Sequence, residues 1–313
     1  MIDITLLGTG GMMPLPYRAL TSLMVRYNGK SLLIDTGEAT QISIRRRGWS
    51  FNPIDMILIT HFHADHISGL PGLLLAMGNA DRTEPVTIIG PEGLNKIVRG
   101  LLVIAPRLPF KVECIEISEN DEYFDAIGMD CHAFRLEHSM PCYGYSLSLK
   151  RAGKFDPDAA KALQIPLPYW RRLQHGETIT DEDRTYTPDM VMGEARKGLK
   201  VTYVTDTRPI PSIITAAEGS DVFICEGMYG EADGDEKARD KKHMTMYDAA
   251  KLAKSANVGQ LWLTHYSPSM VNPFEFSDKV KEIFPEAHIC KDRRSITLNF
   301  EDEEPGSEET GED

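Results

Sequence analysis

The residues that decide the fold are Thr60-His61-Phe62-His63-Ala64-Asp65-His66. They follow residues 55–59, an almost continuously apolar run that is typical of a strand buried on both faces. Three of the chain's nine histidines fall within positions 61–66. Because neutral imidazole is the usual zinc ligand, and His-x-His directs two rings to one side, these residues predict a metal site in a loop after the strand. A polar surface loop is the alternative, and the clustering of histidines argues against it.

Three further side chains of metal-ligand type follow strand-like runs elsewhere in the chain, namely His138, Asp206 and His265. Each alone is weak evidence, because a lone histidine or aspartate after a strand is more often a cap or a turn residue. Four strand ends that all lead into ligand-type residues instead favour a two-metal hydrolase. In that arrangement Asp65 and His66 face the second metal, and Asp206 bridges the two ions.

Strand-like and helix-like runs alternate along the chain and predict an α/β domain of packed layers over residues 1–300. Residues 151–198 interrupt this pattern with four prolines, many charges and little periodicity, which predicts an inserted arm. Residues 301–313 hold eight acidic groups and no basic group, which predicts a disordered acidic tail. Without those eight groups the net charge of −13 becomes −5, so the rest of the chain is only mildly acidic.

The composition predicts a globular cytoplasmic protein. Hydrophobic residues make up 42% and charged residues 26% of the chain, which excludes a disordered or fibrous protein. No run approaches the apolar length that a membrane span needs, and the first residues lack the basic region of a signal peptide. The five cysteines form no Cys-x-x-Cys pair, so we expect free thiols in a reducing compartment.

The histidine motif resembles the signature of the metallo-β-lactamase superfamily, and the chain from about residue 4 to residue 300 resembles its ribonuclease Z branch. The segments that carry this resemblance occur in the family's order: Leu7-Gly8-Thr9-Gly10, Asp35-Thr36-Gly37-Glu38-Ala39-Thr40-Gln41, Ser68-Gly69-Leu70-Pro71-Gly72, Gly90-Pro91-Glu92-Gly93, Gly176-Glu177-Thr178-Ile179-Thr180 and Asp206-Thr207-Arg208. The resemblance implies a metallo-β-lactamase fold, a four-layer αββα sandwich with an exosite-like arm. It also implies an endonuclease that cuts the 3′ trailer from precursor tRNA.

The resemblance further implies two Zn²⁺ ions per subunit, with Mn²⁺ or iron as alternatives for such donors. One ion would be held by His61, His63, His138 and Asp206, and the other by Asp65, His66, Asp206 and His265.

Three residues receive catalytic roles by the same resemblance. Asp65 would accept a proton from the attacking water, His243 would protonate the leaving 3′-oxygen, and Glu226 would orient His243. From the residues alone, His243 could equally belong to the cap of a helix, since Thr245 follows it at a predicted helix start.

The arm is where the sequence leaves alternatives open. The resemblance places there the exosite that grips the tRNA elbow, and it implies a homodimer. Tyr169-Trp170-Arg171-Arg172 could stack on RNA or anchor an interface, and residues 151–198 are neutral, with eight basic and eight acidic groups. The family's phosphate-facing arginine is absent after His265, and Arg208 or Lys242 could replace it.

Two other functions remain open at this stage. The same metal centre could act on a small phosphodiester such as a cyclic nucleotide, with the arm serving dimerisation. A non-catalytic protein of this fold is less well supported, because all seven ligand positions are filled.

Overall fold

The computed structural model describes residues 1–181, 184–231 and 234–301, so the predicted tail beyond Glu301 lies outside the described residues. The chain forms two units, one made of Met1–Ser148 with the chain from Lys200 onward, and the other of Leu149–Leu199. Among the described residues, no helix has both the length and the apolar character needed to cross a membrane.

The strands of the described residues are numbered in chain order. They are β1 (Ile2–Gly8), β2 (Ser22–Tyr27), β3 (Lys30–Ile34), β4 (Ile54–Leu58), β5 (Val86–Pro91), β6 (Val112–Ile117), β7 (Asp121–Ala126), β8 (Met129–Arg135), β9 (Tyr143–Arg151), β10 (Ile179–Asp181), β11 (Arg184–Tyr186), β12 (Arg196–Val204), β13 (Val222–Glu226), β14 (Gln260–Thr264), β15 (Ala287–Ile289) and β16 (Ser295–Leu298).

The helices are numbered in the same way. They are α1 (Thr40–Arg46), α2 (Ala64–Ile67), α3 (Leu70–Gly78), α4 (Leu94–Leu101), α5 (Pro157–Ala162), α6 (Leu167–Gln174), α7 (Pro211–Ala217), α8 (Gly234–Lys241), α9 (Met246–Ser255) and α10 (Ser277–Ile283), with 3₁₀ turns at Leu102–Ile104, Pro188–Met190 and Pro273–Phe276.

The two large sheets each combine an antiparallel and a parallel half. The first has the strand order β16-β1-β2-β3-β4-β5-β6 and is parallel from β3 to β6. The second has the order β15-β14-β13-β12-β9-β8-β7 and is parallel from β12 to β15. Parallel neighbours end at the same edge of a sheet, so the residues that follow β12, β13 and β14 are brought together.

Helices cover one face of each sheet. Met24 and Leu33 of the first sheet pack with α1, α3 and α4, and Phe223 of the second packs with α7, α9 and α10. Their chain neighbours, including Leu23, point to the opposite face and are also buried. Tyr145 of β9 donates a hydrogen bond from its hydroxyl to the carbonyl oxygen of Ile59, 2.8 Å away, and links the inner faces. The predicted αββα layering is therefore confirmed.

The Leu149–Leu199 unit contains α5, α6 and the antiparallel hairpin of β10 and β11. Asp156 caps α5 by accepting hydrogen bonds from two backbone N–H groups, and Pro157 begins the helix. The buried core of the Leu149–Leu199 unit consists of Ala160, Ile165, Leu173, Ile179, Tyr186 and Val191.

Candidate metal centre

Four donors from three strand ends form the first group. His61 Nε2 lies 2.9 Å from His63 Nδ1, which lies 3.2 Å from His138 Nε2. Asp206 Oδ2 lies 3.6 Å from His61 Nε2 and 3.8 Å from His138 Nε2. One nitrogen from each of the three rings and a carboxylate oxygen therefore face a common point.

The second group uses the other oxygen of the same aspartate. Asp206 Oδ1 lies 3.2 Å from His66 Nε2 and 3.1 Å from His265 Nε2. Asp65 Oδ2 lies 3.4 Å from His265 Nε2 and 3.6 Å from His66 Nε2. The two oxygens of Asp206 thus face two different donor groups, as expected of a bridging carboxylate.

The backbone explains how these side chains are aimed. His61 and His63 lie in the predicted loop, but Asp65 and His66 lie on the short helix α2, so the prediction of a loop was wrong for these two. The single turn of α2 directs the side chains of Asp65 and His66 toward the ends of the strands. Asp206 and His265 have left-handed φ values of 53° and 57°, a conformation uncommon for such residues that turns the chain sharply at a strand end.

The hydrogen-bonding pattern fixes which ring nitrogens face the donor groups. The Asp35 carboxylate accepts a hydrogen bond from His66 Nδ1 over 2.7 Å, so the other ring nitrogen, Nε2, faces the second donor group. His138 Nδ1 likewise donates to the carbonyl oxygen of Lys242 over 3.1 Å. Thr60 Oγ1 donates to Asp35 and can accept from His61 Nδ1, 3.1 Å away.

These residues fit divalent metal ions. Five ring nitrogens and two carboxylates converge, and the lone pairs of such donors repel one another unless a cation lies between them. Burial lowers the pKa of His61, which favours the neutral ligand form. Burial also lowers the pKa of His66, but Asp206 and Asp35 outweigh it and raise that pKa, so positive charge is favoured at this point. The donor set therefore fits divalent metal, and Asp206 is common to the two donor groups.

Asp35 is a site residue whose role the sequence did not predict. Its carboxylate is fully buried and also accepts a hydrogen bond from the backbone N–H of Thr60 over 2.8 Å. It holds His66 directly and His61 through the Thr60 hydroxyl, so one carboxylate orients a ring in each donor group. The sequence signal was an aspartate at the end of β3, but its partner depends on the parallel pairing of β3 with β4.

His243 and Glu226 form a pair beside the two donor groups. His243 Nδ1 lies 2.9 Å from Glu226 Oε2, and Glu226 Oε1 accepts a hydrogen bond from Thr207 N over 2.6 Å. Burial acts to lower the pKa of His243, but the Glu226 carboxylate outweighs it and raises that pKa to about 9. The cap of α9 is Thr245, which accepts from Asp248 N, so the imidazole of His243 is not used as a helix cap. Although Asp206, His243 and His265 could also hold an ion, His243 Nδ1 is occupied by Glu226.

The two cations that could replace the missing arginine donate hydrogen bonds to backbone carbonyls. Arg208 Nη1 donates to the carbonyl oxygen of His243 over 2.5 Å, and Lys242 Nζ donates to that of His138 over 3.3 Å. They therefore fix loops of the site.

A glycine-containing loop closes the other side of the site. Met12 N donates to Asp65 Oδ2 over 2.7 Å. A Cβ atom at Gly11 would lie 2.7 Å from Cε1 of His265, so only glycine lets this loop approach the ring. The loop is held at both ends by Asp292, which accepts from Thr9 N over 3.0 Å and from Ala19 N over 2.7 Å.

Comparison with known proteins gives consistent similarities over nearly the full chain. The chain is 57% identical to Ribonuclease Z of Lachnospira eligens, covering 97% of this chain and 100% of that protein. It is 56% identical to Ribonuclease Z of Agathobacter rectalis over the same shares. The human tRNase Z short form has a similar fold, with a TM-score of 0.68, 23% identity and coverage of 95% of this chain and 100% of that one. The family described as Anti-Pycsar protein Apyc1 matches residues 2–165.

An αββα sandwich with two donor groups at its strand ends defines a metal-dependent hydrolase of the metallo-β-lactamase fold. Relatives that are 56–57% identical match 97% of the chain. The chain belongs to the ribonuclease Z family.

Proposed function

We propose that this protein is a metal-dependent endoribonuclease that removes the 3′ trailer from precursor tRNA. The observation that carries the proposal is the His243–Glu226 pair, which lies beside the two donor groups. A two-metal site alone fits many hydrolases, whereas a carboxylate-held imidazole suits a substrate whose leaving oxygen needs a proton. The end-to-end similarity to Ribonuclease Z proteins supports the same substrate.

The residues of the chain divide the reaction between them. His61, His63, His138 and Asp206 would hold one ion, and Asp65, His66, Asp206 and His265 the other. Divalent ions held there would supply positive charge for the phosphodiester and would lower the pKa of an attacking water.

Asp65 has an oxygen at the second donor group and would accept a proton from that water. His243 lies beside Asp206, with its Nδ1 3.9 Å from Asp206 Oδ2. The raised pKa keeps its ring protonated at neutral pH, as a donor to the 3′-oxygen must be.

The ion identity, assembly and location are part of the same proposal. Nitrogen and carboxylate donors suit Zn²⁺, with Mn²⁺ or iron as alternatives. A homodimer is inferred from the family resemblance. The cysteines Cys114, Cys131, Cys142, Cys225 and Cys290 are free, which supports a cytoplasmic location.

In this proposal the exposed face of the arm binds RNA, and the aromatic rings of the arm do not stack on bases. Tyr169 and Trp170 pack against the arm's own core, and Trp170 Nε1 donates to the carbonyl oxygen of Ile165 over 2.9 Å. Leu167 and Arg171 of α6 remain exposed. We infer that these exposed residues, and not the aromatic rings, are available to a tRNA.

The test compares two substrates, a precursor tRNA with a short trailer and bis(p-nitrophenyl) phosphate. The zinc-loaded protein should cut the tRNA after the discriminator base. A variant that lacks residues 155–190 should lose this cleavage and keep hydrolysis of the small ester. Hydrolysis of the small ester alone by the full chain would contradict the RNA assignment and favour a small phosphodiester as the substrate.

A further inference from the structure

Four arginines gather at the carboxyl end of α1 and on the neighbouring strand β2. We call Arg26, Arg45, Arg46, Arg47 and the tryptophan between them, Trp49, the α1 arginine cluster. The three helix-end arginines are exposed, and Arg26 and Trp49 are half-buried. Such a concentration of positive charge is unexpected in a chain with a net charge of −13.

Aromatic rings hold three of the four guanidinium groups of the cluster in place. Those of Arg26 and Arg47 lie 4.7 and 5.0 Å from the centre of the Trp49 ring, and that of Arg45 lies 4.9 Å from the Phe51 ring. Stacked guanidinium groups keep their planar N–H edges available and lose less freedom when they bind an anion. The cluster is therefore prepared for anionic ligands.

No carboxylate in the described part of the chain forms an ion pair with these four arginines. Asp3 is directly opposite Arg26 in the sheet, but its carboxylate accepts a hydrogen bond from Thr297 Oγ1 over 2.6 Å. Basic residues in the last turn of a helix interact favourably with the helix dipole. This explains the positions of Arg45 and Arg46 only. The arrangement of Arg26 and Arg47 around Trp49 needs another explanation.

Helix α1 connects the region of the metal centre with the arginine cluster, which lies at the far end of the helix. α1 begins at Thr40, just after Gly37, where a Cβ atom would lie 2.5 Å from the carbonyl oxygen of Asp65. Ile42 and Arg46, on one face of α1, line a cavity of about 410 Å³ together with the loop that contacts Asp65. The seven residues of α1 span about 10 Å, which corresponds to roughly three nucleotides of a duplex strand.

We propose that the α1 arginine cluster binds RNA phosphates a few nucleotides from the cleavage site. The inference rests on the proposed function, because it takes the substrate to be RNA. Arginine forms paired hydrogen bonds with phosphate, and each neutralised phosphate releases counterions and so makes binding depend on salt. The phosphates come from the acceptor stem or from the trailer, and the experiment distinguishes these sources.

The experiment compares the triple variant R45Q/R46Q/R47Q with a matched control, R107Q/K254Q/K279Q. The control removes three exposed positive charges elsewhere in the chain, at positions without an ion pair among the described residues. The KM for precursor tRNA is measured at KCl concentrations from about 50 to about 200 mM, a range over which phosphate binding depends steeply on salt. Hydrolysis of bis(p-nitrophenyl) phosphate measures the amount of intact metal centre in each preparation, and rates are divided by it.

For the triple variant we expect the KM to rise on the order of tenfold, and the slope of log KM against log salt to fall by about two to three. The control should keep the slope of the unmodified protein. An unchanged slope in the triple variant, or an equal fall in the control, would overturn the inference. Absence of tRNA cleavage by the unmodified protein would instead contradict the proposed function.

Two trailer lengths identify the source of the phosphates. If the loss in the triple variant is the same for a one-nucleotide and a ten-nucleotide trailer, the cluster binds the acceptor stem. If the loss occurs only with the long trailer, the cluster binds the trailer. Either result supports RNA binding by the cluster, and no loss with either substrate contradicts it.

Discussion

The metal centre and the Leu149–Leu199 unit use chemically informative residues in opposite ways. At the metal centre, buried histidines and aspartates follow strand ends, and their polar atoms converge on common points. In the Leu149–Leu199 unit, Tyr169 and Trp170 are turned toward that unit's own core. The larger unit fills its core with the apolar faces of two sheets and can spare polar residues for chemistry, whereas a short unit needs its aromatic residues for stability.

The largest effect should come from the residue shared by both donor groups. Asp206→Ala removes Oδ1 and Oδ2, which face different groups, so we expect both substrates to be hydrolysed on the order of 10⁴-fold more slowly. The bound metal, measured by mass spectrometry, should fall below two ions per chain. A variant that retains full metal content and activity would show that convergence at strand ends does not predict a metal centre here.

A substrate-dependent effect is expected at His243. His243→Ala should slow RNA cleavage by about 10²–10⁴-fold, the usual contribution of a general acid. Hydrolysis of bis(p-nitrophenyl) phosphate should slow much less, because p-nitrophenolate leaves without a proton.

Glu226→Gln serves as the companion variant, since it can keep a hydrogen bond to His243 Nδ1 while removing the charge that raises the His243 pKa. The rate of RNA cleavage by Glu226→Gln should lie between the rates of the unmodified protein and of His243→Ala. Equal losses on both substrates for His243→Ala would mean that His243 supports the metal centre and is not the proton donor.

A smaller effect is expected from Asp35, which orients ligands without contacting the donor groups' common points. Asp35→Asn should weaken metal affinity by about 10–100-fold, because the orientation of His66 and His61 is lost. Metal titration with a competing chelator measures this, and excess metal should restore much of the activity. Activity that excess metal does not restore would indicate a folding defect instead.

The sequence predicted the part of the fold whose signal is local. Continuous apolar runs predicted β4, β13 and β14, since strands buried on both faces need such residues. The donors that follow β4, β8, β12 and β14 were predicted by type and position. The pairing of the two sheets was predicted only through the family resemblance, because strand order depends on contacts between distant residues.

The remaining features depend on tertiary contacts that no short segment encodes. The role of Asp35 follows from the pairing of β3 with β4, and the positions of Asp65 and His66 on α2 follow from a single turn too short to show periodicity. The uses of Arg208 and Lys242 also became visible only with the loops in place. In the arm, the sequence left open whether Tyr169 and Trp170 stack on RNA or anchor an interface, and their packing against the arm's own core became visible only in the structure.

The smallest expected effect distinguishes core packing from RNA stacking as the role of the arm's aromatic residues. The Trp170 ring centre lies 5.4 Å from that of Phe155, and its Nε1 donates to Ile165, so Trp170→Ala should destabilise the Leu149–Leu199 unit by about 2 kcal/mol or more. Hydrogen exchange within residues 149–199 should accelerate, and the KM for precursor tRNA should rise a few-fold as a consequence. Leu167→Ser is the control on the same helix, because Leu167 is 72% exposed and its loss should change stability by no more than about 0.5 kcal/mol. A higher KM in Trp170→Ala with unchanged exchange would mean that the ring stacks on RNA after all, and the contrast between the arm and the metal centre would then disappear.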